Sequence, residues 1–185
     1  MGRSASASEA LFRLARARSV LLSASHIAGE QNLWADALSR RGSSSVEWTL
    51  DRRVFSHLTD MFGLPQVDLF ASVSNHRLDR FLTRSSVTPE GGPDAFREDW
   101  NRWQFVYLFP PPLTSIMLRV LLHLRSYRGR VLLVAPLWVA QPWAHELLSW
   151  CPRPLPLEGE VLQGLSMGPF LTSLRLHAWS FCVSP

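Results

Sequence analysis

Lysine is missing from this chain: all 19 basic residues are arginine, set against 15 acids for a net charge of +4. The absence says more about the composition of the coding sequence than about ligand contacts. A surplus this modest, not gathered into one block, is compatible with nucleic acid but does not by itself point to it. Cysteine is scarce too. Cys151 and Cys182 are the only two and form no CxxC pair, which speaks against a metal site. Both are expected to be reduced, buried or incidental, and not joined. No apolar run reaches the roughly 18 residues that a membrane-spanning helix needs. Acids are nearly absent from residues 1–20, where Glu9 stands alone among Arg and Ser. That composition superficially suits a transit peptide. A helix over residues 8–18 fits better, with Leu11, Leu14 and Ala15 on one face.

With 185 residues, 46% of them hydrophobic, the chain has enough apolar material for one core and a small appendage. Eight Trp and 13 Pro read as packing and turn devices. The polar break Arg40-Arg41-Gly42-Ser43-Ser44-Ser45 marks a boundary. We therefore expect a segment over 1–41, a linker over 42–46 and a domain over 47–185. Inside that domain Thr49-Leu50-Asp51 opens a helix to Phe62, with Val54, Phe55, Leu58 and Met61 at helical spacing and Gly63 as its stop. Residues 67–72 read as a short strand and 73–100 as a long loop. Residues 105–109 form a strand stopped by three prolines. A helix over 113–127 comes next, its apolar side made by Ile116, Leu118, Val120, Leu121 and Leu124. After Gly129 the run 131–135 suits a strand buried on both faces of a parallel sheet, and 141–150 is a further helix. Residues 155–157 and 174–179 read as strands, with a helical turn over 160–165 between them. The order strand, helix, strand, helix predicts an α/β fold with a mostly parallel sheet. Ligands of such sheets bind beyond the carboxyl ends of the strands, so residues 68–72, 109–112 and 135–138 should face one crevice.

The first segment carries its own pattern. Val20-Leu21-Leu22 leads through His26-Ile27-Ala28-Gly29 to Asn32, placed to cap the helix Leu33-Trp34-Ala35-Asp36-Ala37-Leu38. Asp36 falls about one turn in, near the end of the preceding strand. A magnesium-dependent nuclease needs a hard oxygen ligand there, although one carboxylate does not make a site. A bare helix, strand and helix packed on the next segment explains the pattern equally well. The motif HIxGxxNxxADxLSR resembles the end of the ribonuclease H domain of retroelement polyproteins. The resemblance implies that Asp36 is the last metal-binding acid of that family and that His26 and Asn32 border the site. It also implies that the remaining acids lie on elements preceding this segment. Magnesium is then expected only within a complete ribonuclease H domain, and no hybrid cleavage is expected from this chain alone.

The second segment is similar in outline to phage-type DNA adenine methyltransferases. The matching pieces are Trp48-Thr49, Phe62-Gly63, Asp68 to Ser72, Trp100, Phe109-Pro110-Pro111-Pro112, Ala135-Pro136-Leu137-Trp138 and Trp143. The resemblance implies a Rossmann-like sheet and, if the cofactor site survives, S-adenosylmethionine held by Asp68, Ala71 and Ser72. An Asp near a strand end also serves simply to cap the next turn. The departure lies in the tetrapeptide. Where the family has an Asn or Asp acceptor for the amine of a flipped base, this chain has Phe109, and Pro112 replaces the stacking aromatic. His76 and Asp79 read as solvated loop residues, not an acid–base pair. Arg77, Arg80, Arg84, Arg102 and Arg119 are candidate nucleic-acid contacts near the crevice. Trp138 and Trp143 are candidate stacking rings, with core packing the simpler account.

In this order the two pieces resemble the polyprotein of DIRS-type retrotransposons, over most of residues 18 to 180. The phrases EWTLDRRVF, VDLFAS, FPPP and VLLVAPLW carry the likeness. No recombinase signature and no polymerase Asp-Asp motif occurs. The resemblance implies an intracellular protein, nuclear or cytoplasmic, with no membrane and no cofactor expected. Its function would be non-catalytic: binding DNA or an RNA–DNA hybrid, or docking on the parent reverse transcriptase and ribonuclease H. A divergent methyltransferase and a relic of a decayed element are the alternatives.

Overall fold

The computed structural model describes residues 49–84, 92–159, 161–163 and 175–183, together with Arg13 and residues 16–18. The chain divides into two compact units, Met1–Ser44 and Ser45–Pro185. In the first unit Arg13, Arg16 and Ala17 are helical. The strand expected over 20–25 lies outside the described residues, as do His26, Asn32 and Asp36.

In the second unit, seven strands and three α-helices are described. Strand β1 (Thr49–Leu50) runs into helix α1 (Arg52–Phe62). Asp51 starts the helix because its carboxylate accepts the Arg53 N–H at 2.7 Å. Gly63 ends it at φ +91°, donating its own N–H to Thr59 O. Strands β2 (Val67–Asp68), β3 (Phe105–Leu108) and β4 (Arg130–Pro136) come next, with helix α2 (Thr114–Ser126) between the last two. Helix α3 (Pro142–Trp150), strands β5 (Leu155–Pro156) and β6 (Leu162–Gln163), and strand β7 (Leu176–Cys182) complete the unit.

The larger sheet has the order β2-β3-β4-β7-β5. β2, β3 and β4 are mutually parallel, whereas β7 pairs antiparallel with both β4 and β5. The fold is α/β as expected, but the sheet is mixed, not mostly parallel. β4 is fully buried along Val131–Pro136 as a central strand should be, yet only one of its neighbours is parallel. The other, β7, offers Leu176, Ala178, Trp179 and Phe181 as buried positions and seals the open side of β4. The helical turn expected over 160–165 is also corrected. Leu162–Gln163 is extended and pairs with Thr49–Leu50, a partner too distant in sequence for local patterning to reveal. β2 is shorter than expected because the chain turns after Asp68, whose carboxylate receives the Phe70 N–H.

Alternation along the strands sorts the core into two layers. Val106, Leu108, Val131, Leu133 and Ala135 face one side, where Met117, Val120, Leu121 and Leu124 of α2 and Trp143, Ala144 and Leu147 of α3 cover them. Phe105, Tyr107, Leu132 and Val134 face the other, under Phe55 and Leu58 of α1. Val120, Leu121 and Leu124 are buried on α2 as expected and are joined by Met117, whereas Leu118, expected on that side, is 42% exposed; Leu122 is 60% exposed. Met61, expected on the packed side of α1, is 50% exposed. Cys151 is half-buried and Cys182 exposed, and both are free thiols.

Gly129 sits where three backbones converge before β4. A Cβ there would overlap the Tyr127 hydroxyl and lie 2.5 Å from Gln104 O. The same carbonyl accepts the Arg130 N–H at 2.8 Å, and the Tyr127 hydroxyl donates to Trp103 O at 2.9 Å. We expect Gly129→Ala to destabilise the domain by about 1–3 kcal/mol, the usual range for overpacking a tight site. Urea unfolding of the variant checks this, and an unchanged midpoint would contradict it.

Candidate functional site

β2 and β3 end side by side, and the site is built where they stop. Asp68 and Tyr107 are register partners in this parallel pair, so their side chains emerge on the same face, the one covered by α1. Phe55 packs edge-on against Tyr107 with ring centres 5.0 Å apart. Arg77 returns from the loop after β2. Its backbone N–H donates to Asp68 Oδ2 at 3.1 Å, and its Nε donates to Leu50 O at 2.7 Å. One loop residue therefore ties β1 to β2. Leu50, Asp68, Phe70, Arg77, Tyr107 and Phe109 surround a cavity of about 10 Å³, room for about one water molecule.

Burial decides the electrostatics. Asp68 is 2% exposed, and desolvation raises its carboxyl from 3.8 to about 6. The N–H groups of Arg77 and Phe70, and the charges of Arg77 and His76, pull the other way without cancelling that rise. Tyr107 is pushed well above the ordinary phenol value, first by burial and then by the Asp68 charge, so its hydroxyl stays neutral. Desolvation also lowers Arg77 from its ordinary value, but not enough to cost it its charge. An acid poised near neutrality, a neutral phenol and a guanidinium can bind a small polar guest and exchange a proton with it. Among the described residues no group of three His, Cys, Asp or Glu is placed to hold a metal ion.

Of the residues expected in the crevice, Asp68, Ala71, Arg77 and Phe109 do line this cavity. The Ala71 N–H is already donated to Leu82 O. Ser72 is turned into a local knot, its N–H donating to Asn75 Oδ1 at 2.7 Å. Pro110 and Pro112 are buried and Pro111 half-buried, so no residue of the tetrapeptide presents a stacking ring except Phe109. The end of β4 shares the same edge of the sheet, but its aromatics serve the opposite layer. Trp143 is completely buried among α2 and α3 residues, and Trp138 packs 6.3 Å from it. Arg80 and Arg84 are exposed. Arg102 precedes β3, at the amino edge of the sheet away from the cavity, and pairs with Glu98 at 3.0 Å. Arg119 lies on α2 with its guanidinium 3.8 Å from the Phe96 ring centre. The arginines therefore do not form one patch around the crevice. His76 stacks on Phe81 at 4.8 Å, and Asp79 is exposed.

Tyr107 was not among the expected site residues. The run Phe105-Val106-Tyr107-Leu108-Phe109 reads as apolar strand, and the one available signal was a phenol in a strand with both faces covered, which needs a partner.

No protein-family profile matches this chain, and no curated protein matches it either.

Proposed function

We propose that residues 45–185 form a non-catalytic, Rossmann-like domain of DIRS-type retrotransposon descent. In this reading its role is to dock on the reverse transcriptase and ribonuclease H of the same element. The observation that carries the non-catalytic part is Phe109. It stands at the carboxyl end of β3 and lends the cavity a hydrocarbon wall, where amine methylation requires a hydrogen-bond acceptor. The small volume beside Asp68 points the same way.

Charge favours a protein partner over a polyanion for this unit. Residues 45–185 carry thirteen Arg against twelve Asp and Glu, too even a balance for a strong counterion-release term. Arg102 and Arg125 are moreover paired with Glu98 and Glu146. Leu118 and Leu122, one turn apart on the outer face of α2, supply exposed apolar contact area instead. A second reading, nucleic-acid binding, is favoured by residues 1–44, where six Arg face three acids.

S-adenosylmethionine titrated calorimetrically into the full chain should give no saturable heat. Micromolar binding lost in Asp68→Ala would replace this reading with a divergent methyltransferase. The purified reverse transcriptase–ribonuclease H of a DIRS-type element should bind the chain, and Leu118→Glu with Leu122→Glu should weaken that binding at least tenfold. Affinity for a DNA duplex or hybrid that falls steeply with salt, with no binding to that protein, would favour the second reading.

A further inference from the structure

The cavity beside Asp68 contains two buried polar atoms that the protein itself leaves unanswered. Tyr107 Oη and Arg77 Nη2 are both shielded from solvent and meet no hydrogen-bond partner among the described residues. Both side chains line the same small space. Buried donors are seldom left unmatched in folded proteins, and two around one cavity call for a shared answer. A third lining polar group, Asp68, accepts one backbone N–H on each carboxylate oxygen, from Phe70 at 3.4 Å and Arg77 at 3.1 Å. Each oxygen retains capacity for one more donor. Asn75 also borders the space, but its Oδ1 already accepts from the Ser72 N–H and hydroxyl.

We infer that this cavity is a binding site for a single water molecule, held jointly by Arg77 Nη2, Tyr107 Oη and Asp68. One water gives both unmatched donors an acceptor. The water oxygen accepts from the guanidinium N–H and from the phenol, and one water hydrogen is donated to the Asp68 carboxylate. When Asp68 is protonated, its hydroxyl donates to the water, which donates in turn to Tyr107 Oη. Three polar partners lie in the normal range for buried water, and about 10 Å³ is the space such a guest occupies. The side chains of Leu50, Phe70, Ala71 and Phe109 offer carbon surface only, so the polar trio fixes the orientation. Arg77 also donates to Leu50 O at 2.7 Å. The water thereby joins β1, β2 and β3 into one network, independently of whatever docks on the outer surface.

The test uses the full chain and its Tyr107→Phe variant. Oxygen-17 relaxation dispersion should count one fewer long-lived water in the variant, and its melting midpoint should drop by about 3 °C. An equal count, with an unchanged or higher midpoint, would overturn the inference, since deleting an unsatisfied hydroxyl costs nothing. Should the variant not fold, the wild-type chain decides alone. A rotating-frame Overhauser transfer from long-lived water to the Tyr107 ring supports the site, and its absence rejects it.

Discussion

Between about pH 3 and pH 7 the wild-type chain should lose about 3 kcal/mol of stability relative to Asp68→Asn, the amide being a mimic of the protonated acid. The Asp68 carboxyl rises from 3.8 in the open chain to about 6 in the fold, and each unit of such a difference corresponds to about 1.4 kcal/mol. The folded chain therefore holds this proton more tightly than the unfolded chain does. Its contribution is complete below about pH 3.8 and fades as pH rises through about 6. His123 works in the opposite sense. Burial and then the Arg119 charge lower its pKa, and its ring stacks at 4.8 Å on Trp100. Its contribution is present above the ordinary histidine value and fades as pH falls. The variant keeps His123, so the difference between the two curves isolates Asp68. Urea unfolding of both chains at closely spaced pH values measures it, and parallel curves would reject a raised Asp68 pKa.

Trp179→Ala should cost about 3–5 kcal/mol, a large share of the stability of a domain this size. The indole is completely buried at the centre of β7, against the α2 and α3 layer, and its Nε1 donates to Ala135 O at 3.3 Å. Truncation would open a cavity between β7 and the helices and remove a hydrogen bond from β7 to β4. Leu122→Ala, at a 60% exposed position on α2, should change stability by no more than about 0.5 kcal/mol. Equal costs for the two variants in denaturant titrations would mean that β7 does not close the core.

What could be read from the residues alone depends on the range of the interactions involved. α1 was legible because its signals are local: Asp51 at one end, Gly63 at the other, Phe55 and Leu58 one turn apart on the buried side. β3 and β4 announced themselves as apolar runs bounded by Pro and Gly. The pairing of Thr49–Leu50 with Leu162–Gln163 was not legible, since two extended residues make no periodicity and the partner lies over a hundred positions away. The place of β7 between β4 and β5 was hidden for the same reason: alternation identifies a strand but not its neighbours. At the site, Asp68 stood out as a strand-end acid. Arg77 read as one of five arginines near the crevice offered to nucleic acid, because nothing in the letters marks the Leu50 carbonyl that turns it inward.

The position of β7 also governs the order in which the molecule can be made. Every other strand of the larger sheet leaves the ribosome before it, yet β7 lies between two of them. Until residues 176–182 emerge, β4 and β5 each present an open ladder of N–H and C=O groups, and both are free to recruit the wrong strand. A nascent chain of this design therefore cannot close its sheet piece by piece from the amino end. It waits, vulnerable, for β7, and a break in translation before that strand leaves a product with two unsealed edges instead of a slightly shorter domain.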